Sequence, residues 1–420
     1  MNYYNVKFKY GLQNMLIHKY LFLYPILYWI IIIKLENYIQ DEMRKSISFF
    51  SNKIFIYLLY IFFIEMIIFG TYLLIAMIGI VPKEKKYVKI FSEIGLTDQD
   101  GIPPVIEKIE KNRNGYLLYL FSNSITKSNY EEKVEELSTN FNMKVVDIDY
   151  GIDLQHVIIK FFKPNNNYEI LEWKAEYLNE KESVFVLGES FDGVEVFDIA
   201  QMPHLLIGGG TGSGKSTFVK LILYQAIEKN YSVFIADFKG GIDYSKWWHD
   251  KVNFITKITD LDLMLTEVIS QMDKRKLEFL KIGASNINEL NEKTKELQLK
   301  RIIVAIDEIA EVLDKAGLNK EQKQVVLSIE SKLSTIARLG RAFGIHLIIS
   351  TQRPDANLLS GQIKNNLVFR ICGQADKVLS QIILDSSEAS VKISPKDKGM
   401  FLTNTKVLFK AYYLKENNLS

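Results

Sequence analysis

Leu205-Leu206-Ile207-Gly208-Gly209-Gly210-Thr211-Gly212-Ser213-Gly214-Lys215-Ser216 runs from an apolar stretch into a segment that fits G-x-x-x-x-G-K-[ST] in full. The flanks matter more than the pattern. The apolar residues before it read as a short strand, and from Thr217 to Lys229 the residues Phe218, Leu221, Ile222 and Gln225 recur at helical spacing. A glycine loop between strand and helix lets backbone N–H groups turn onto phosphate oxygens, and the helix N-terminus adds its dipole. Gly209 to Thr217 are therefore the expected nucleotide cradle, with Lys215 set to neutralise the β- and γ-phosphates of ATP and the Ser216 hydroxyl to ligate Mg2+.

Working outward, Ile302-Ile303-Val304-Ala305-Ile306 reads as a fully buried parallel strand that ends in Asp307-Glu308. Two adjacent carboxylates at that point are costly unless used. Asp307 can hold Mg2+, and Glu308 can orient and deprotonate an attacking water; a solvated acidic cap is the bland alternative. His346 to Ser350 is a further apolar strand, followed by Thr351-Gln352-Arg353-Pro354, and Gln352 is placed either to sense a γ-phosphate and position water or to cap a loop. Strands at Leu205, Val233, Ile302, His346 and Val368, separated mostly by helical stretches, predict an α/β P-loop NTPase of RecA-like type, a doubly wound parallel sheet with nucleotide at its carboxyl edge.

From Val186 to Ala411 the residues resemble the FtsK/SpoIIIE-type DNA translocases. Val186-Leu187-Gly188 through Met202-Pro203-His204 is similar to that family's lead-in to the P-loop. Asp237-Phe238-Lys239-Gly240 is similar to its second-strand motif, with Phe where Pro is usual. Met272-Asp273-Lys274-Arg275 and Arg341-Ala342-Phe343-Gly344-Ile345-His346-Leu347 continue the ordered set, as does Ile363-Lys364-Asn365-Asn366. The resemblance implies a homo-oligomer, a hexameric ring around DNA, in which Arg341 reaches a neighbour's γ-phosphate. Read without it, Arg341 is a solvated charge at a helix end. Lys364, Arg370, Lys274 and Arg275 either face DNA in the pore or lie on an ordinary surface. A compact anchor on a single motor resembles the coupling proteins of Gram-positive conjugative elements, which implies relaxosome and transfer-channel proteins as partners. The alternatives are a protein-export ATPase of the type VII secretion kind and a chromosome-partitioning translocase.

The apolar residues crowd into positions 1–82. Ile54 to Val81 is uncharged except for Glu65 and exceeds the roughly 20 residues needed to cross hydrocarbon. The run from Tyr20 to Ile33 is shorter and contains Pro25, so an interfacial helix competes with a span there. Lys7, Lys9 and Lys19 before it and Lys83, Lys85, Lys86 and Lys89 after the second run share one side only if both runs cross. The expectation is a multi-pass hairpin in the cell membrane, joined by a charged loop from Lys34 to Lys53, with the ATPase in the cytoplasm. Residues 83–180 are expected as a charged connector to Gly115 and then a small α+β domain, β-α-β-β, ending in a polar turn at Asn165 to Asn167. The motor takes 181–420. A net charge of +2, from 52 basic and 50 acidic residues, excludes no partner. With one cysteine, Cys372, no disulfide can form within the chain, and the five histidines are scattered, so Mg2+ with nucleotide is the metal expected.

Overall fold

The computed structural model describes residues 7–416 apart from 10, 13–14, 17, 47–52, 80–83, 123, 164–169, 295–297, 354 and 356–358. The polar turn expected at Asn165 to Asn167 and Pro354 of the Gln352 loop lie outside the described residues. Two compact units emerge, residues 1–111 with 116–161, and residues 112–115 with 162–420.

The first unit opens with α1 (Leu23–Ser46) and α2 (Lys53–Ile78), both long and apolar enough to cross a membrane by length and composition. Pro25 falls in the first turn of α1, where no intrahelical donor is lost, so it does not shorten the helix. The helices pack antiparallel through polar atoms as well as apolar ones: Tyr28 Oη donates to the Met66 carbonyl at 2.8 Å, and Trp29 Nε1 donates to Thr71 Oγ1 at 2.7 Å. The segment from Lys34, expected as a charged loop, continues α1 as far as Ser46 because Lys, Leu, Glu, Gln, Met and Arg dominate it and are good helix formers.

After α3 (Glu84–Glu93) come β1 (Val105–Asn112), β2 (Gly115–Phe121), α4 (Lys127–Glu132), α5 (Val134–Phe141), β3 (Lys144–Tyr150) and β4 (His156–Phe162). The sheet order is β1-β2-β4-β3. The expected β-α-β-β therefore gains a leading strand, and the presumed connector contributes both α3 and β1. Lys and Glu at positions 107, 108, 110 and 111 concealed that strand; on a sheet edge such charges are tolerated and deter pairing with other chains. Phe91 of α3 joins Leu118, Leu120, Tyr130, Leu137, Ile159 and Phe161 in one buried core.

The second unit is built on ten strands. These are β5 (Val184–Ser190), β6 (Gly193–Asp198), β7 (Leu205–Gly208), β8 (Ser232–Ala236), β9 (Asn253–Ile255), β10 (Ile302–Ile306), β11 (Ile345–Thr351), β12 (Phe369–Cys372), β13 (Met400–Thr403) and β14 (Leu408–Ala411). Their order is β6-β5-β14-β13-β12-β7-β11-β10-β8-β9. Every pair from β12 to β9 is parallel and includes the strands the sequence picked out, while β13, β14, β5 and β6 extend the sheet antiparallel. The sheet is thus mixed rather than wholly parallel. Residues 170–180, grouped with the small domain in the sequence reading, pack on this unit: Leu171, Trp173 and Tyr177 lie against its core, and the Trp173 N–H donates to the Tyr413 carbonyl at 2.9 Å.

Its helices are α6 (Lys215–Glu228), α7 (Lys246–Lys251), α8 (Ile258–Ile282), α9 (Ile287–Lys293), α10 (Ile309–Leu313), α11 (Lys320–Phe343), α12 (Gly361–Asn366), α13 (Lys377–Leu384) and α14 (Glu388–Lys392). Arg275 of α8 is buried and donates to the carbonyls of Phe343 and Lys300, so it ties α8 to the start of the strands and faces no pore. Lys364 and Arg370 both pair with Asp385, at 2.7 and 2.5 Å, whereas Lys274 is exposed. Arg275→Met should lower stability by about 2–3 kcal/mol, because two carbonyls lose a charged donor. Thermal unfolding of the detergent-solubilised chain checks this; weaker DNA binding with unchanged melting would instead make Arg275 a DNA contact.

Candidate functional site

The loop Gly209–Gly214 leaves β7 at the carboxyl edge of the parallel strands and enters α6 at Lys215. Gly214 has φ +97°, and a Cβ there would lie 3.2 Å from the Gly399 nitrogen, so this turn requires glycine on both conformational and steric grounds. The first N–H groups of α6 have no intrahelical acceptor by construction and point along the helix axis toward the loop, as an anion cradle needs. Two outside contacts hold the loop open: the Gly210 N–H donates to the Gln374 carbonyl at 2.7 Å, and the Gly399 N–H to the Ser213 carbonyl at 2.9 Å.

Lys215 is 3% exposed. Its Nζ donates to the Asp307 carbonyl at 2.9 Å and to Ser350 Oγ at 3.0 Å, which fixes the ammonium between β10 and β11. The Asp307 carboxylate stands 3.7 Å from that ammonium, and its Oδ1 is buried without a hydrogen-bond partner among the described residues. Burial pulls the Lys215 pKa down, against the charges of Asp307 and Glu308, and Lys239 adds to the fall. A buried carboxylate oxygen and a buried Ser213 hydroxyl left without hydrogen bonds among the described residues are unusual, because such groups are nearly always hydrogen-bonded. They fit a site made for a nucleotide and its metal. Ser216, Thr217 and the loop line the same cleft of about 860 Å3.

Glu308 is held from two sides. Thr351 Oγ1 donates to its Oε1 at 2.8 Å and the Gln352 N–H to its Oε2 at 2.8 Å, while the Ala310 N–H caps α10 on it at 3.3 Å. Gln352 in turn accepts from Thr211 Oγ1 at 3.0 Å, so its amide spans from the end of β11 to the P-loop. Lys215, Asp307, Glu308, Ser216 and Gln352 are thereby gathered at one edge of the sheet. Arg341 is not among them. It lies in the last turn of α11, exposed, with Nε donating to the Ala200 carbonyl at 3.3 Å. All seven residues of β11 separate it from that edge, roughly 20 Å at the usual strand rise.

Several contributors were not picked out from the sequence. Ser350 and Thr351 carry the Lys215 and Glu308 contacts, and the signal for them was a pair of hydroxyl residues closing an otherwise apolar buried strand. The far end of the cleft is formed by Ile170, Leu171, Tyr412 and Tyr413, an apolar and aromatic wall suited to a nucleobase, with Lys398 and Lys410 between it and the loop.

The sequence pattern of the FtsK/SpoIIIE family matches residues 171–356. The chain is similar to the DNA translocase FtsK of Chlorobaculum tepidum, 33% identical over 50% of this chain and 27% of that protein. It is likewise 33% identical to the DNA translocase SftA of Bacillus subtilis, over 50% of this chain. The chain spans about a quarter to a third of the length of such curated relatives. Among solved structures, it is similar to the pCW3 conjugation coupling protein TcpA in its monomer form with ATPγS, at 33% identity and a TM-score of 0.61, over 79% of this chain and 95% of that one.

Proposed function

This chain belongs to the FtsK/SpoIIIE family, and on that premise we propose that it is a membrane-anchored ATPase that drives DNA, the coupling protein of a conjugative plasmid or integrative element. The observation that carries the conjugative reading is the match to a coupling protein along 95% of its length at 33% identity, whereas the curated DNA translocases are matched over a far smaller share of theirs. The hairpin of α1 and α2 is the anchor, a multi-pass insertion in the cell membrane that leaves the motor in the cytoplasm. Relaxosome and transfer-channel proteins are the partners this reading calls for.

At the cleft, Lys215 neutralises the β- and γ-phosphates of ATP, while Ser216, and Asp307 through an Oδ1 that has no hydrogen-bond partner among the described residues, would hold Mg2+. The metal would supply positive charge against the phosphates. Glu308, oriented by Thr351 and the Gln352 backbone, takes the proton of the attacking water, and Gln352 reports the γ-phosphate to the P-loop through Thr211. Arg341 lies exposed, a strand's length from its own cleft, which leaves it available to a neighbouring subunit; by family resemblance the working form is a hexameric ring in which it reaches a neighbour's γ-phosphate. ATP turnover of the solubilised chain should rise when DNA is added, and that stimulation should fade steeply as salt increases, because gripping phosphates releases counterions. Turnover indifferent to DNA would favour a protein-export motor. Deletion that abolishes plasmid transfer but spares chromosome segregation separates the coupling role from partitioning.

A further inference from the structure

The segment Asp237-Phe238-Lys239-Gly240 follows β8 and has no part in the assignments above. Asp237 is 3% exposed, and its carboxylate is taken up by the backbone: Oδ1 accepts from the Lys239 N–H at 2.9 Å and Oδ2 from the Gly241 N–H at 3.0 Å. Gly241 has φ +72°, and a Cβ there would meet His249 Cε1 at 2.9 Å, so the path of the turn is set by clamp and glycine together. A buried carboxylate used in this way makes the turn a rigid mount. What it mounts is Lys239. This side chain is exposed and lines the cleft beside Ser216, Thr217 and Gln352, and among the described residues it has no carboxylate within ion-pairing distance.

Sheet order tells which end of the cleft Lys239 occupies. β11, β10 and β8 lie on one side of β7, and β12, β13 and β14 on the other. The first side carries Gln352, Glu308 and Asp307; the Asp307 N–H donates to the Ala236 carbonyl at 3.2 Å, which seats the start of this turn against the acidic pair. The second side carries Lys398, Lys410 and the Tyr412-Tyr413 wall. Lys239 therefore sits at the hydrolytic end, near enough to Lys215 for its charge to act on that ammonium.

We infer that Lys239 is a further catalytic residue, whose ammonium contacts the γ-phosphoryl oxygens and shares with Lys215 the negative charge that builds as the γ-phosphorus–oxygen bond breaks. It transfers no proton: water forms the new bond to phosphorus, Glu308 takes the proton, and ADP leaves. The inference rests on reading the cleft as an ATP site.

The test compares the full solubilised chain with Lys239→Ala, Lys239→Arg and, as control, Lys215→Ala, measuring ATP affinity, ADP affinity and turnover with and without DNA. In Lys239→Ala, turnover should fall at least about 10-fold in both conditions and ATP affinity by about 10-fold, with ADP affinity and melting unchanged, and Lys239→Arg should recover most of the loss. Equal weakening of ATP and ADP, or a loss confined to DNA stimulation, overturns the inference, as does no change at all. Lys215→Ala should lose both nucleotides. If it keeps them, the ATP-site reading fails first, and the assignment of Lys239 goes with it.

Discussion

Glu308→Gln should reduce ATP turnover by about 10²–10⁴-fold while leaving ATP affinity within a few-fold of the original. The contacts of this side chain explain why binding survives. Its two oxygens accept from Thr351 Oγ1 and from the Gln352 N–H, and a glutamine amide can keep the second bond through its oxygen and turn its NH2 to the Thr351 hydroxyl. Shape and the Lys215 pocket are retained, while the long 3.3 Å cap bond from the Ala310 N–H, which shares Oε1 with Thr351, is given up. The ability to take a proton is lost with it. Single-turnover hydrolysis alongside equilibrium ATP binding would show the separation, and near-normal hydrolysis would move the general base to another group.

Arg341→Ala should cost about 10³-fold or more in turnover, again with ATP binding retained, if the arginine completes a neighbour's site. Its location makes a sharper demand. Because β11 stands between Arg341 and its own P-loop, neither single variant can form a complete site, yet a mixture can. In mixed assemblies, a cleft whose Glu308 comes from an Arg341→Ala chain and whose arginine comes from a Glu308→Gln chain is intact. Mixing the two inactive proteins should therefore restore measurable turnover. If no ratio does so, Arg341 does not act between subunits.

The sequence disclosed the parts of the second unit where local chemistry forces residue identity. Gly214 stands where a left-handed turn needs it, Lys215 opens the helix that follows, and Asp307-Glu308 ends a strand of five apolar residues that can only be buried. The strands that escaped notice are those whose pattern other constraints dilute. β13 and β14 are four residues each and, unlike β7 of the same length, adjoin no glycine loop that marks them, while β1 is crowded with charges because it lies on an edge. Arg275 looked like a surface cation because nothing local distinguishes an arginine that solvates two carbonyls inside the fold from one in water. Lys364 and Arg370 similarly meet at Asp385 only after the chain has folded back. The gathering of Lys215, Asp307, Glu308 and Gln352 at one sheet edge was legible, and the clamps that hold these side chains were not: Thr351 on Glu308 and Ser350 on Lys215 depend on registers between strands far apart in sequence.

The strip of chain from Ile170 to Trp173 pairs with Tyr413, and Ile170, Leu171, Tyr412 and Tyr413 together line the cleft. One wall of the cleft is therefore stitched from the two ends of the second unit by a few backbone bonds, so whatever displaces the strip before Trp173 reshapes the cleft as well.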